Sequence, residues 1–144
     1  MACACALLAA CAATPAKLGQ PAGSPVPLGA TVAEVQQALA TDAVPERGPP
    51  ESELALLLDA RGVQVFFDHT DRVRTVRLRA PYAAPVLGIG IGEPAASVVA
   101  KMGPPAAKAT AAGQTGYTYH PDRITILTYI VGADDRVETI FLVR

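Results

Sequence analysis

Two segments of the chain place apolar residues at helical spacing between signals that begin and end a helix. In the first, Val32, Val35 and Leu39 share one helical face. Thr31 and Glu34 have the spacing of a capping box, in which the hydroxyl and the carboxylate satisfy orphan backbone N–H groups reciprocally. We therefore predict a short amphipathic helix that begins after Thr31.

A second helix is predicted with Pro94 in its first turn, where the missing N–H of proline costs no hydrogen bond. Gly103 and Pro104 end it, since glycine suits a left-handed cap and proline cannot continue a helix. Its apolar stripe consists of Ala95, Val98, Val99 and Met102.

Several apolar runs are rich in β-branched and aromatic residues, which favours strands. The clearest are residues 63–68 (VQVFFD) and 124–131 (ITILTYIV), each followed by a short turn and a segment that opens with Arg-Val. Residues 53–62 fit either a short helix or a strand. Their correspondence with residues 115–120, which alternate Tyr with polar residues, favours a strand for both.

An octamer nearly repeats itself: residues 71–78 are DRVRTVRL and residues 135–142 are DRVETIFL. The two helical segments recur at almost the same spacing, so internal duplication is the best account. We therefore predict an α+β fold of two tandem helix-plus-three-strand repeats. Residues 28–79 and 90–144 would form them, joined by the connector 80–89, with one antiparallel sheet and both helices packed on one face.

The last strand of each predicted repeat breaks strict alternation. Val73 and Val76 are three residues apart, whereas Val76 and Leu78 are two apart, so no regular strand turns all three inward. A β-bulge near Thr75 would reconcile the spacing, and the repeat predicts another near Thr139.

The N-terminal residues 1–11 (MACACALLAAC) are apolar and uncharged, and they hold all three cysteines. They are too short to cross a bilayer, which takes about 20 apolar residues. Leu8-Ala9-Ala10-Cys11 resembles a bacterial lipobox, which implies a signal segment, a lipidated Cys11 and, with Ala12 following, outer-membrane sorting. Residues 12–27 have the Pro, Gly, Ala and Ser composition of a disordered tether. The alternative is an Ala-rich disordered start.

Composition narrows the function. A formal net charge of -1 argues against a general nucleic-acid binder, and 5% aromatic residues with no Trp argue against a base-stacking platform. The body has no cysteine for a disulfide, a thiolate zinc site or a nucleophile. His69 and His120 have no partner at ligand spacing. We expect no catalytic residues, no metal, no cofactor and no small-molecule substrate.

Four arginines in residues 72–79 (RVRTVRLR) form the candidate partner contact. They could face phosphate or an acidic partner, or they could protect an edge strand from aggregation, and we favour a solvated edge. The second octamer has Glu138 and Phe141 at two of the positions, so the charge is not repeated. The four are Arg72, Arg74, Arg77 and Arg79.

The pattern LG-x-T-x-x-E-V-x-x-x-L, followed by strands, a turn and Arg-Val-x-x-[Val/Ile], resembles the SmpA/OmlA (BamE-like) lipoprotein domain. The resemblance covers residues 28–79 and 90–144, and the tandem plan is similar to that of β-lactamase-inhibitor proteins. It implies an outer-membrane-anchored periplasmic lipoprotein that acts as a non-catalytic protein-binding or scaffold module of the cell envelope. Its membrane contact would be the lipid anchor alone. The alternative is a periplasmic or secreted inhibitor-like protein that blocks a partner enzyme.

Overall fold

The computed structural model describes residues 18–48 and 53–144. The elements in chain order are helix α1 (Val32–Ala38), strands β1 (Glu46–Arg47) and β2 (Leu54–Leu58), a 3-10 turn (Asp59–Arg61), strands β3 (Val63–Phe67) and β4 (Val73–Arg79), helix α2 (Ala95–Met102), and strands β5 (Ala107–Ala111), β6 (Gln114–Tyr119), β7 (Ile126–Val131) and β8 (Val137–Val143).

The strands form one sheet in the order β1-β2-β3-β4-β8-β7-β6-β5, and every pairing is antiparallel. A row of buried apolar residues crosses six of these strands in register, so one face of the sheet carries the core. Val35 of α1 and Ala95 and Val98 of α2 belong to the same buried cluster. The residues in the row are Leu56, Val65, Val76, Leu142, Leu127 and Tyr119.

The prediction of two tandem helix-plus-three-strand repeats is wrong. The described residues form a single eight-stranded antiparallel sheet, and its two helices are only seven and eight residues long. The prediction missed the two outer strands. Strand β1 has only two residues, and every residue of β5 (AKATA) is exposed, so neither strand has the apolar alternation that marks a strand in sequence.

The two predicted β-bulges are confirmed, each one residue before the predicted threonine. The register between β3 and β4 shifts so that Arg74 is the extra residue, and between β7 and β8 the extra residue is Glu138. The bulge restores the inward direction for the next residues, and Val73, Val76 and Leu78 are all fully buried.

The capping box of α1 is confirmed. The backbone N–H of Glu34 donates to the Thr31 hydroxyl at 3.3 Å, and the Thr31 N–H donates to the Glu34 carboxylate at 2.8 Å. At α2, Pro94 occupies the N-cap, and the helix ends at Gly103 with a φ of 80°. Local signals therefore set both helix boundaries.

The prediction of a disordered tether over residues 12–27 is wrong for its described part, residues 18–27. Val26 is fully buried in the core, and the Gly19 N–H donates to the Asp122 carboxylate at 3.1 Å. Pro and Gly form tight turns here, and their composition alone does not distinguish such turns from a flexible linker.

The predicted signal segment (residues 1–11) and its lipidation site Cys11 lie outside the described residues, as do residues 12–17. In residues 18–48 and 53–144, no helix has the length and apolar character needed to span a membrane.

Candidate functional site

An apolar groove of about 820 Å³ runs beside β2, near the end of the sheet formed by the two-residue strand β1. Its apolar wall consists of Ala43, Val44, Ala55, Leu56, Leu57 and Phe66. Charged side chains of Glu46, Arg47 and Glu53 line it as well. The volume is within the usual range of ligand sites, about 300–1,000 Å³.

The groove contains unusually exposed apolar surface. Val44 is 74% exposed and Leu57 is 54% exposed, the highest values among large hydrophobic side chains in the described residues. Apolar surface in water costs about 25 cal/mol per Å², so clustered exposed apolar side chains mark contact sites more often than scattered ones do.

Strand geometry explains the exposure of Leu57. Residues 56 to 58 are three consecutive leucines, and alternate residues of a strand point to opposite faces. Leu56 is therefore buried in the core at 2% exposure, and Leu57 points to the opposite face. Phe66 of β3 lies on that same face, because it pairs with Ala55.

An arginine cleft of about 480 Å³ adjoins the groove and shares Arg47 and Glu53 with it. Arg74 and Arg144 add two more guanidinium groups, and Asp68 adds a second carboxylate. These three guanidinium groups lie among two lining carboxylates, and the carboxylate of Asp71 lies beside Arg47.

The three arginines are neutralised unequally. Arg74 Nη1 lies 2.6 Å from Glu53 Oε1, and Arg144 Nη2 lies 2.7 Å from Asp68 Oδ2. Arg47 Nη2 lies 3.8 Å from Asp71 Oδ1, and both of these side chains are about 60% exposed. Such an exposed pair contributes about 0–1 kcal/mol, so Arg47 is the arginine most available to a ligand.

Asp68 fixes one wall of the cleft. The Thr70 hydroxyl donates to its carboxylate at 2.6 Å, and this bond, aided by the Thr70 and Arg72 N–H groups and by Arg144, lowers the Asp68 pKa to about 2. Asp68 therefore stays charged at neutral pH and holds both the β3–β4 turn and Arg144 in place.

The structure contradicts the edge-strand interpretation of the predicted arginines. Strand β4, which carries Arg74, Arg77 and Arg79, pairs with β3 and β8 near the middle of the sheet. Strands β1 and β5 lie at the edges, and β5 has Lys108 at its centre. Lys108 therefore protects the edge strand β5 from unwanted pairing, whereas the arginines of β4 protect no edge.

The four predicted arginines do not form one cluster. Arg74 lines the cleft. Arg72 donates to the Gly29 carbonyl at 3.3 Å, outside the lining of the cleft. Arg79 Nη2 donates to Asp59 Oδ1 at 2.8 Å, and the hydrogen bonds from Gln64 and then from Arg79 lower the Asp59 pKa.

Arg77 occupies the sheet face opposite the core. Its guanidinium lies 5.5 Å from the centre of the Phe141 ring, and its buried Nε has no hydrogen-bond partner in the described part of the chain. The cation–π contact partly offsets the missing hydrogen bond. Arg77 and Phe141, which occupy equivalent positions in the two octamers, therefore pair with each other where β4 meets β8.

Most of the site has no signal in the sequence. The three leucines from residue 56 could have indicated Leu57, since such a run must expose one side chain. Arg47 and Arg144 reach the cleft from distant parts of the chain, and nothing near them in the sequence indicates it.

The charged side chains of the cleft are largely paired with one another. Its carboxylates Glu53 and Asp68 are engaged in ion pairs with arginines. His69 lines the cleft and His120 is an exposed residue outside its lining. Within residues 18–48 and 53–144, no three His, Cys, Asp or Glu side chains are placed to hold a metal ion.

No protein-family model matches the chain. No curated protein matches it either. Among solved structures, the chain is similar to the crystal structure of a DUF4309 family protein (YjgB) from Bacillus subtilis, with a TM-score of 0.53 and 16% sequence identity over 79% of this chain and 78% of that one. At this identity the likeness shows the fold alone.

Proposed function

We propose that the protein is an outer-membrane-anchored periplasmic lipoprotein whose folded body is a non-catalytic protein-binding module of the cell envelope. The observation that carries the binding role is the apolar groove, which collects the two most exposed large hydrophobic side chains of the described residues, Val44 and Leu57. The resemblance to the SmpA/OmlA (BamE-like) domain is part of this proposal and supports the location in the cell envelope.

The sheet face opposite the core continues from the groove across the neighbouring strands. A row of paired residues leads from Leu57 through Gln64 and Arg77 to Phe141 on the face opposite the core. Arg77 and Phe141 are half-buried. Gln64, between Leu57 and Arg77 in this row, is buried at 6% exposure, so the exposed apolar surface here is that of the groove.

The anchor rests on the lipobox-like residues that end at Cys11. Only residues 12–17 separate Cys11 from Leu18, where the described body begins. Fully extended, that stretch reaches about 25 Å. On this proposal the body stays near the membrane surface, and its partner is an envelope protein within that reach.

The anchor is tested by lipid labelling. We expect radiolabelled palmitate to label the wild-type chain and not Cys11→Ala. An unlabelled wild-type chain in a host with lipoprotein processing would contradict the anchor while leaving the binding role standing.

The binding role is tested by the size of the native complex in envelope extracts. Val44→Asp places a charge in the groove, and Val99→Asp is the matched control, because Val99 is 41% exposed and lines neither the groove nor the cleft. We expect Val44→Asp to dissociate a complex that the wild type and Val99→Asp retain. Equal behaviour of the two variants would contradict the proposal. A complex with a soluble enzyme would favour the inhibitor alternative.

A further inference from the structure

The N-terminal part of the chain joins the folded body at a fixed point beside the β6–β7 turn (residues 120–125). The Gly19 N–H donates to the Asp122 carboxylate at 3.1 Å. A Cβ on Gly19 would lie 3.0 Å from Ile124 Cδ1, so the backbone there packs against this side chain. Asp122 also accepts from the N–H groups of Ile124 and Thr125 and from the Thr125 hydroxyl, at 2.8–2.9 Å. These contacts fix the position of Leu18 on the body.

This point lies at one end of strands β7 and β8. Ile126 begins β7 directly after the β6–β7 turn, and it pairs with Val143 at the end of β8. The β7–β8 turn (residues 132–136) lies at the opposite end of both strands. The five steps from Ile126 to Val131 cover about 17 Å at about 3.3 Å per residue. The two ends are therefore well separated, and Leu18 lies at the first of them.

The length of the tether decides which end of the body can face the membrane. Residues 12–17 connect Cys11 to Leu18 and reach at most about 25 Å. A folded body of this length has a radius of gyration of about 14 Å, which corresponds to a diameter of about 35 Å. To bring the β7–β8 turn to the bilayer, the tether would have to run past most of the body, which exceeds its reach. In a body anchored through Cys11, the end that carries Leu18 is therefore nearest the lipid.

Exposed apolar side chains at this end suit a lipid surface. Leu18 is 47% exposed and Ile126 is 40% exposed. Each Å² of apolar surface removed from water contributes about 25 cal/mol, and the boundary between headgroups and acyl chains takes up such side chains. Asp122, the carboxylate of the turn, accepts four hydrogen bonds from the protein, so its charge is largely satisfied before any contact with lipid.

We infer that the β6–β7 end of the body lies against the phospholipid surface, with Leu18 and Ile126 at the boundary between headgroups and acyl chains. The short tether sets this orientation, and the apolar contact adds to the lipid anchor. The β7–β8 turn then points away from the bilayer. The inference rests on the proposed anchor at Cys11 and goes beyond it by naming the surface of the body that contacts the membrane.

The test places an NBD fluorophore at either end of β7 in the lipidated chain purified from membranes. In the processed chain Cys3 and Cys5 are removed and Cys11 carries lipid, so a cysteine introduced into the body is the only free thiol. Arg123→Cys labels the β6–β7 turn and Ala133→Cys labels the β7–β8 turn, and both positions are exposed. The labelled chains are reconstituted in vesicles of phosphatidylethanolamine and phosphatidylglycerol, with and without lipid that carries a spin label on its headgroup.

We expect the spin-labelled lipid to quench the fluorophore at position 123 and to leave the fluorophore at position 133 nearly unchanged, because the quencher acts only at short range from the bilayer surface. Leu18→Asp should reduce the quenching at position 123, since it places a charge at the lipid boundary. Val99→Asp is the matched control, because Val99 is 41% exposed on α2, and it should leave the quenching unchanged.

Equal quenching at the two positions, stronger quenching at position 133, or quenching at neither position would overturn the orientation. Unchanged quenching in Leu18→Asp would overturn the apolar contact. Palmitate labelling of the same chains separates these results from a failure of the proposed function. A labelled chain without the expected difference retains the anchor and rejects the inference alone, whereas an unlabelled chain contradicts the anchor and the inference with it.

Discussion

Leu56 and Leu57 are adjacent on β2, and truncating each to alanine should give very different results. Leu56 is 2% exposed and belongs to the core cluster, so Leu56→Ala should lower the free energy of unfolding by about 2–5 kcal/mol. Leu57 is 54% exposed, so more than half of its side chain gains nothing from folding. Leu57→Ala should therefore cost below about 1 kcal/mol.

Urea unfolding followed by circular dichroism measures both values. The midpoint for Leu56→Ala should fall sharply at an unchanged slope, and the melting temperature should drop by about 4 °C per kcal/mol. The midpoint for Leu57→Ala should stay close to that of the wild type. Equal losses in the two variants would refute the alternation of β2, and with it the assignment of Leu57 to the groove.

Three further predictions follow from the site and its surroundings. The pKa of Asp68 is about 2 in the folded protein, below its ordinary value of 3.8, so the stability that ionised Asp68 contributes is lost as the pH falls from about 4 toward 2. Between pH 5 and pH 2, the melting temperature of the wild type should therefore fall more than that of Asp68→Asn. Parallel melting curves for the two proteins would contradict this. Arg74→Ala should change the free energy of unfolding by about 1 kcal/mol or less, because Arg74 and its partner Glu53 are both about half exposed. A double-mutant cycle with Glu53→Ala measures the coupling energy of the pair, and a value above about 1 kcal/mol would contradict this prediction. Gly23→Ala should destabilise the protein by more than about 1 kcal/mol and speed proteolysis of residues 18–27, because a Cβ there would overlap the backbone of Pro85. Gly88→Ala is the control, since Gly88 has a similar φ but open space around it. Equal effects of the two substitutions would show that only backbone strain acts, and not the overlap with Pro85.

Local signals made part of the fold predictable. The Thr31–Glu34 capping box, the stop at Gly103 and the two bulges all depend on residues within a few positions of one another. Burial on one face dictates the spacing of Val73 and Val76, so the bulge follows from the sequence once a strand is assumed.

The wrong predictions concerned features that depend on distant contacts. Strand β5 has no apolar alternation, because both of its faces are exposed, and only its pairing with β6 identifies it. The position of β4 in the sheet depends on its pairing with β8, which no local pattern specifies. Residues 18–27 are held by distant contacts, since Val26 is buried in the core and Gly19 donates to Asp122, more than 90 positions away in the chain.

Of the candidate site, only Arg74 was predicted from the sequence, although the leucine run from residue 56 also pointed to Leu57. The arginine cleft combines side chains from β1, β4 and the end of the chain, and the groove depends on the segment around Val44 lying beside β2. Binding surfaces of this kind depend on which strands are neighbours in the sheet rather than on a sequence motif. The differences between the two octamers therefore pointed to β4 but not to the groove or the cleft.

Photocrosslinking in living cells tests the central claim most directly. A benzophenone amino acid at Leu57 reports on the groove, and the same probe at Val99 of α2 is the control. We expect one discrete protein adduct from position 57 and none from position 99. The absence of an adduct at 57, or the same adduct at both positions, would contradict the assignment of the β2 groove as the protein-binding site.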